Sequence, residues 1–361
     1  MVHDLIVIGG GPAGCSAAVS AARLGARVLL LERGCYPRQK VCGEFVSAES
    51  IGLLTSLLTE EDRQLLLGSA PRIARARVFL DHTVIEIEVS PSAVSISRME
   101  LDAALWRACE AAGVDTRQQV IVDRVLRESG FKVATSQGEF ATRTVIDASG
   151  RRSNLASARA EPAATQQKWL GLKAHFVEGH PPDSVDLYFF DAGYCGVQKV
   201  ANDIVNVCAM VRERTATRLD EVFELHPDLR ARSREWRQQT KTFAAFPLIF
   251  RKPNPVRDGI LCAGDAAGFI DPFAGDGISL GLASGAAAAR MFRCVWAGEH
   301  DLDWAAESYR TDYNRRFGPA LRNAALIRGF LSLPLPLRRI VGRAASMPAV
   351  SRRFVKMTRA A

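Results

Sequence analysis

The chain of 361 residues lacks three features that mark large classes of protein. It contains no run of 18 or more apolar residues, so the sequence predicts no transmembrane helix. Its eight cysteines show neither a C-x-x-C pair nor a zinc spacing, and no two of its six histidines have metal-ligand spacing on a predicted helix. We therefore expect reduced thiols and no bound metal. No basic segment or cleavage site precedes the first apolar strand, so we expect a cytoplasmic protein without a signal peptide.

Acidic residues are absent from the C-terminal segment. Residues 315–361 hold eleven Arg or Lys and no Asp or Glu, while the whole chain has a net charge of +8. We therefore treat residues 311–361 as a basic helical tail, with a break at Pro334 and Pro336. Two interpretations of this tail stay open: peripheral contact with a membrane surface, or a helical cap over a substrate cavity. No nucleic-acid partner is expected, because no aromatic residues alternate with the basic ones in a binding module.

Glycine is concentrated in two segments, and the first lies near the N-terminus. It follows an apolar run at residues 5–8 and has the G-x-G-x-x-G spacing, formed by Gly9, Gly11 and Gly14. A helical pattern and a second strand come next, and that strand ends at Glu32. In this spacing the first glycine permits a tight turn, the second lets the backbone reach a pyrophosphate, and the third lets helix and strand pack closely. The pattern predicts a dinucleotide site in which Glu32 accepts hydrogen bonds from a ribose.

The second glycine-rich segment covers residues 260–285. A short apolar run leads into Gly264, and the only carboxylates in the segment are those of Asp265, Asp271 and Asp276. Small residues at this density let the backbone approach a ligand closely. Taken alone, the segment also fits a tight joint between a strand and a helix.

The segments between the two glycine clusters predict an α/β fold with a discontinuous organisation. Helical patterns cover residues 47–67 and 97–113, and alternating residues predict a hairpin at 75–90 with its turn at Asp81–His82. Strand patterns at residues 170–177, 185–190 and 204–211, with helices near 218–225 and 229–238, predict an inserted antiparallel sheet. We predict a Rossmann-like binding domain (1–75, 95–158 and 255–310), a β-sheet substrate domain (76–94 and 159–254) and a helical C-terminal region.

Four motifs in one order carry a resemblance to a known family. They are VIGGGPAG with Glu32, RMELDAALWRACEAAGV at residues 98–114, VIDASGRRS at 145–153, and GDAAGFIDPFAGDGISLG at 264–281. The set resembles the FAD-dependent oxidoreductase superfamily typified by para-hydroxybenzoate hydroxylase. The last motif is similar to that of the geranylgeranyl reductase family. The resemblance covers roughly residues 1–50, 95–155 and 255–290.

This resemblance implies FAD as the cofactor and suggests which residues bind it. The diphosphate would lie on the N-terminal glycines, the adenosine ribose on Glu32, and Arg98 would reach phosphate or ribityl oxygens. The glycines before the last helix would place N–H groups against the flavin, where reduction brings negative charge. The implied cofactor-binding residues are Gly9, Gly11, Pro12, Ala13, Gly14, Glu32, Arg33, Arg98, Asp265, Gly275, Gly277 and Ile278.

Two further segments are candidates for the substrate cavity. Cys42 and Glu44 belong to a C-G-E segment that resembles one placed near the isoalloxazine in this family, and Cys42 could be either a small lining residue or a redox group. Tyr194 and Cys195 occupy the place of the Y-x-W-x-F-P motif of prenyl reductases and the W-x-W-x-I-P motif of halogenases. The tryptophan and proline are missing here. Lining of the cavity and simple strand packing stay open for this pair.

The function implied by the resemblance is the reduction of a C=C bond in a mostly apolar small molecule. NADH or NADPH would bind transiently as donor, since no second G-x-G-x-x-G follows a strand. A flavin monooxygenase acting on an aromatic or polyketide-like substrate is the alternative. A non-catalytic electron shuttle or sensor is a third hypothesis, and it predicts a filled or shallow junction between the two domains. The sequence predicts no catalytic acid or base and no oligomeric state.

Overall fold

The computed structural model describes residues 3–80, 83–151, 155 and 167–331. Its strands are β1 (His3–Ile8), β2 (Val28–Leu31), β3 (Phe45–Val46), β4 (Arg72–Leu80), β5 (Thr83–Ser95), β6 (Asp115–Arg117), β7 (Val122–Arg127), β8 (Phe131–Thr135), β9 (Gly138–Asp147), β10 (Trp169–Val177), β11 (Ser184–Phe190), β12 (Gly193–Ala201), β13 (Ile204–Arg212), β14 (Arg237–Gln238), β15 (Phe243–Leu248), β16 (Val256–Arg257) and β17 (Ile260–Cys262). Its helices are α1 (Pro12–Arg23), α2 (Ala48–Leu57), α3 (Glu60–Gly68), α4 (Arg98–Ala111), α5 (Leu219–Phe223), α6 (Pro227–Ser233), α7 (Gly277–Trp296), α8 (Leu302–Arg316) and α9 (Gly318–Leu331).

The first sheet has a parallel centre in the order β17-β9-β1-β2-β6, and the hairpin β7–β8 continues from β9. Alternate residues of β1 enter different cores: Leu5 and Val7 pack with α1 and α7, whereas Ile6 and Ile8 pack under the β7–β8 hairpin. This sheet confirms the Rossmann-like fold predicted from the glycine pattern. Because ligands bind beyond the carboxyl ends of parallel strands, the ends of β1, β2, β9 and β17 mark the edge where a site is expected.

The second sheet has the order β14-β10-β13-β12-β11-β4-β5-β3. Its pairs are antiparallel except β4–β11, which is parallel because the chain passes through the first sheet between those two strands. Four strands of this sheet were not predicted: β12 adds a central strand, β15 pairs with β10, and β3 and β14 are two-residue strands at the edges. The short strand β3 brings residues 45–46 from the cofactor-binding part of the chain to the edge of this sheet, where Phe45 pairs with Ser95.

The helical predictions differ from the structure at two points. The predicted helix over residues 47–67 is two helices, because the Thr59 hydroxyl accepts a hydrogen bond from Asp62 N (3.2 Å) and so starts α3 anew. The predicted helix over 229–238 ends at Ser233, and Arg237–Gln238 pairs with β10 instead.

Several predictions fall on residues outside those that the structure describes. These are the hairpin turn at Asp81–His82, the end of the VIDASGRRS motif and the tail beyond residue 331, which includes Pro334 and Pro336. The described part of the tail forms α9 and the end of α8. None of the described helices is long and apolar enough to cross a membrane.

Candidate functional site

The loop between β1 and α1 forms one wall of a cavity of about 700 Å³. Gly9 has φ +100°, and a Cβ built on it would lie 2.5 Å from Ala148 O, so no other residue fits this turn. A Cβ on Gly14 would overlap Gly9 O, whereas the space next to Gly11 is open. Gly11 also precedes Pro12, the first residue of α1, so the free N–H groups of this helix start lie at the open space.

The cavity is lined by both sheets, which gives it two chemically different ends. The cofactor end is polar and carries Gly9, Gly11, Pro12, Ala13, Glu32, Arg33, Arg98 and Asp265. The substrate end lies over one face of the second sheet and is mostly apolar, with Ala76, Val78, Leu80, Ile85, Ile87, Val89, Val185, Leu187, Phe189, Tyr194, Met210 and Leu248. Of the predicted cofactor residues, Gly14 lies behind this surface and serves the packing of α1.

The Glu32 carboxylate is buried and has four donors around it. Its Oε2 accepts from Gly10 N and its Oε1 from Gly34 N, both at 2.8 Å, while Arg38 donates to both oxygens at 2.8 Å. Burial by itself raises the pKa of Glu32, but the Arg38 charge and the two backbone donors outweigh it and hold this pKa below its usual range. Glu32 is therefore ionised and lines the cavity, and its contact with a ribose stays a prediction.

The Arg98 side chain is held by its own helix. Its Nε and Nη2 donate to the two carboxylate oxygens of Asp102, both at 2.7 Å, and the Asp102 side chain is fully buried. Although burial lowers the pKa of Arg98, the paired Asp102 raises it well above its usual value. Two of the three guanidinium nitrogens are thus engaged, which limits what Arg98 can offer to the phosphates that the resemblance implies.

The second glycine-rich segment closes the cofactor end from the opposite side. Asp265 lies 3.8 Å from Arg151 Nε, and burial raises its pKa. Gly275 has φ +75°, and a Cβ on it would come within 2.9 Å of the Phe45 ring, so the loop approaches the C-G-E segment closely. Gly277 and Ile278 begin the 20-residue helix α7 and line the cavity, so the positive end of that helix lies at the cavity wall.

Glu44 is the centre of a buried polar cluster that the sequence does not predict. It has φ +62°, and its carboxylate is fully buried between the Lys173 ammonium, His175 Nε2 (2.8 Å) and Arg98 N (2.7 Å). Burial raises the pKa of Glu44, but the hydrogen bond from His175 and the Lys173 charge outweigh it and keep this pKa low. The lysine inside the apolar strand WLGLKAHFV was an available signal, because lysine is almost never fully buried unless it is paired.

This cluster ties the segment that contains Cys42 to the second sheet. Lys173 Nζ also donates to Gln39 Oε1 (2.9 Å), and Asn206 Nδ2 donates to the backbone oxygens of Cys42 and Gly43 (3.0 and 2.9 Å). Residues 39–45 therefore form a wall between the two ends of the cavity. Cys42 and Glu44 both line this wall.

Tyr194 and Cys195 are separated by the pleat of β12. Tyr194 lines the cavity, where its ring meets that of Phe273 edge to face at 5.9 Å between centroids. Cys195 is fully buried on the opposite face of the sheet, among Phe79, Tyr188 and Val207, and does not line the cavity. Neighbouring residues in a strand point to opposite faces. Tyr194 therefore lines the cavity, whereas Cys195 serves strand packing.

With this geometry established, comparison with known proteins identifies the class. The model of the FAD dependent oxidoreductase family matches residues 4–232, and the chain belongs to this family. A menaquinone reductase of Mycobacterium tuberculosis is 26% identical over 363 residues, which cover 90% of this chain and 84% of that protein. A tryptophan 2-halogenase of Chondromyces crocatus is 26% identical over 360 residues, covering 90% of this chain and 67% of that protein.

A solved structure supports the fold. The geranylgeranyl bacteriochlorophyll reductase-like protein of Thermoplasma acidophilum superposes with a TM-score of 0.80 at 21% identity, covering 99% of this chain and 95% of that chain. The predicted resemblance to geranylgeranyl reductases and the prediction of an FAD-dependent enzyme are confirmed. The residues fit the cofactor: the space beside Gly11 and two helix N-termini on the cavity wall suit its diphosphate and its flavin.

Proposed function

We propose that this enzyme reduces a C=C bond in a mostly apolar small molecule, with NADH or NADPH as the electron donor. The observation that carries the proposal is the apolar substrate end of the cavity. It runs across alternate residues of β4, β5, β11 and β12 and is continuous with the cofactor end. Neighbouring strands lie about 4.8 Å apart, so these strands alone offer an apolar surface about 15 Å wide.

The chain's own residues support reductive chemistry in several ways. Bound FAD supplies the exchange of reducing equivalents between the nicotinamide and the substrate. The N-terminus of α7 stabilises negative charge at its end of the cavity. The apolar walls exclude water, which strengthens each polar contact inside.

Tyr194 is the polar side chain best placed to orient a substrate. Its hydroxyl has no hydrogen-bond partner in the described part of the chain, and it lines the cavity next to Phe189 and Phe273. Burial raises the pKa of Tyr194 well above its usual value, so the phenol stays protonated and can donate a hydrogen bond. We propose that it donates to a carbonyl or hydroxyl oxygen of the substrate.

The relatives include both reductases and a halogenase, so their names do not decide the reaction or the substrate. One relative is a reductase of menaquinone, and the superposed structure is reductase-like. A monooxygenase is the second candidate, because the rings of Phe189, Tyr194, Phe269 and Phe273 line the substrate end and suit a flat aromatic substrate. The hypothesis of a non-catalytic shuttle or sensor predicts a filled or shallow junction between the two domains. The open cavity at this junction argues against it.

Anaerobic turnover of the FAD-loaded enzyme tests the proposal. The flavin is reduced by NADH or by NADPH, and menaquinone or a geranylgeranyl lipid is then added without oxygen. We expect flavin reoxidation and a product whose isoprenoid chain gains two hydrogens, which fragment masses distinguish from reduction of the quinone ring. A product that forms only with oxygen and gains an oxygen atom would establish the monooxygenase.

A matched pair of variants tests the role of Tyr194. Y194F should lower turnover about tenfold or more, because one hydrogen bond to the substrate is lost, while FAD binding stays unchanged. Y188F is the control: Tyr188 accepts a hydrogen bond from Arg232 Nη1 (3.1 Å) and packs in the core on the opposite face of the sheet. Equal effects of the two variants would remove Tyr194 from the site.

A further inference from the structure

Of the basic side chains that line the cofactor end of the cavity, those of Arg38, Lys40 and Arg98 are partly buried, whereas Arg33 and Arg151 are exposed. Two of them are neutralised by buried carboxylates: Arg38 by Glu32 at 2.8 Å and Arg98 by Asp102 at 2.7 Å. Lys40 forms no ion pair or hydrogen bond through its ammonium group with any residue that the structure describes. Of these three partly buried cations, Lys40 alone has no carboxylate paired with it among the residues that the structure describes.

The position of Lys40 makes that charge costly. Its side chain is partly buried, and burial together with the nearby charges of Arg38 and Arg98 lowers its pKa to about 8. A partly buried cation between two others is unfavourable unless an anion balances it. Arg38 and Arg98 already bind Glu32 and Asp102 bidentately, and Asp265 lies beside Arg151, so we expect a ligand to supply the anion for Lys40.

The surrounding groups indicate which part of a ligand this anion is. The charges of Glu32 and Asp265 both interact with that of Lys40. Both acids, Lys40 and Gly11 belong to the lining of one cavity, and the space beside Gly11 is open. A diphosphate carries about two negative charges, and α1 offers it N–H groups but no full positive charge.

We propose that Lys40 is the cation that binds the diphosphate of FAD in this enzyme. Arg98 cannot replace it at low cost, because turning its guanidinium toward a phosphate would leave the fully buried Asp102 unpaired. Lys40 needs no such exchange, and a flexible ammonium suits a phosphate as a point charge. This assignment holds whether the enzyme reduces or oxygenates its substrate, so it stands or fails independently of the proposed reaction.

The main test is the affinity of the apoprotein for FAD, measured by the change in flavin fluorescence. K40M should weaken FAD binding about tenfold to a hundredfold, since one charge-assisted hydrogen bond is lost. K40R should stay within about threefold of the native chain, because it keeps the charge. K132M is the matched control: Lys132 is exposed on β8 and pairs with Glu128 at 3.5 Å, so its loss should leave FAD affinity unchanged.

The pH dependence gives a second readout that a merely structural role would not change. Lys40 is charged below about pH 8 in the apoprotein, so native FAD affinity should fall as the pH rises through that value. The other charged groups around it are Arg38, Glu32, Arg98, Asp102 and Asp265, and both variants at position 40 keep all of them. This fall of FAD affinity with pH should be absent in K40M and K40R. The FAD affinity of K40M should also depend less on salt concentration than that of the native chain.

Three results would overturn the proposal. Unchanged FAD affinity of K40M at every pH would make Lys40 a wall residue only. Unchanged FAD affinity with a raised KM for NADPH would assign its charge to the phosphates of the donor instead. An equal loss of FAD affinity in K40R and K40M would show that the shape of the side chain rather than its charge is recognised. This conclusion requires that both apoproteins keep the thermal unfolding midpoint of the native apoprotein.

Discussion

The two ends of the cavity are built in opposite ways. The cofactor end consists of backbone turns and ion pairs contributed by a few short segments, and most of its charges are already matched within the protein. The substrate end consists of alternate apolar side chains from strands that are distant in sequence, such as Val78, Leu187 and Met210. A cofactor common to a large family needs the same contacts every time, whereas a substrate-specific surface must be free to vary. This difference between the two ends explains why sequence motifs predict the cofactor but not the substrate.

The largest expected effects come from two glycine variants at the cofactor end. One should disrupt both the fold and FAD binding, and the other FAD binding alone. G14V should abolish FAD binding and cost more than about 4 kcal/mol of stability, because its side chain would overlap Gly9 O and displace α1. G11D should abolish FAD binding alone, since aspartate is a favoured N-cap but its charge repels a diphosphate. FAD content per chain and the midpoint of thermal unfolding measure both effects.

The control for this pair is G52A. Gly52 lies exposed within α2 with nothing near its would-be Cβ, so alanine there should stabilise the chain by about 0.5 to 1 kcal/mol. Normal FAD content in G14V would contradict the structural account of this turn.

The next effect concerns the wall between the two ends. K173M should lower the free energy of unfolding by about 3 to 5 kcal/mol, because it leaves the Glu44 carboxylate buried without its cation. K132M, which removes an exposed pair, should change stability by less than about 0.5 kcal/mol. Urea denaturation of the apoproteins measures both, and equal values would mean that the wall is not held by this cluster.

A pH-dependent effect of similar size is expected in the loop that precedes α7. Asp271 pairs with Arg328 of α9 at 3.0 Å, and burial raises its pKa to about 7. Since the folded pKa lies above the unfolded one, this group's contribution to stability is fully present below about pH 4 and is lost as the pH rises through about 7. Relative to D271N, native stability should fall across that range by on the order of 4 kcal/mol.

Comparing the pH profiles of native protein and D271N isolates this residue. Glu32 and Glu44 have lowered pKa values, so their contributions change in the opposite direction and cancel in the difference. A difference curve that is flat from about pH 4 to about pH 7 would refute the raised pKa.

The smallest expected effect tests the substrate end alone. L187W should raise the KM for an apolar substrate about tenfold by filling part of the cavity, with FAD binding unchanged. L126W is the control, because Leu126 is exposed on β7 and outside the cavity. Loss of FAD from L187W would show that the two ends are not independent.

The glycine spacing and the order of the four motifs were enough to predict the first sheet, the cofactor and most of the cofactor-end residues. Local sequence carries this information because a tight turn, a helix start and a strand end each depend on neighbouring residues. The partners of Glu32 and Arg98 were not predicted, although Arg38 and Asp102 lie only six and four residues away. Spacing alone did not show whether these charges face a ligand or each other.

The second sheet was predicted only in outline. Strand β12 was considered only as a possible packing segment, and Tyr194 and Cys195 were treated as a pair although the pleat places them on opposite faces. The pairing of Lys173 in β10 with Glu44 was not predicted, because Glu44 lies 129 residues earlier in the chain. Contacts at such separations depend on how strands are ordered in the sheet.

The sequence by itself therefore determined the family, the cofactor and the backbone turns that approach it, since each rests on residues within one short segment. Only the tertiary structure decided that Lys40 remains unpaired, that Glu44 serves as an anchor, and which side chains of six strands form one apolar surface. These features arise from pairing and burial between distant segments, and the free energy of a charge or an apolar side chain depends on what surrounds it.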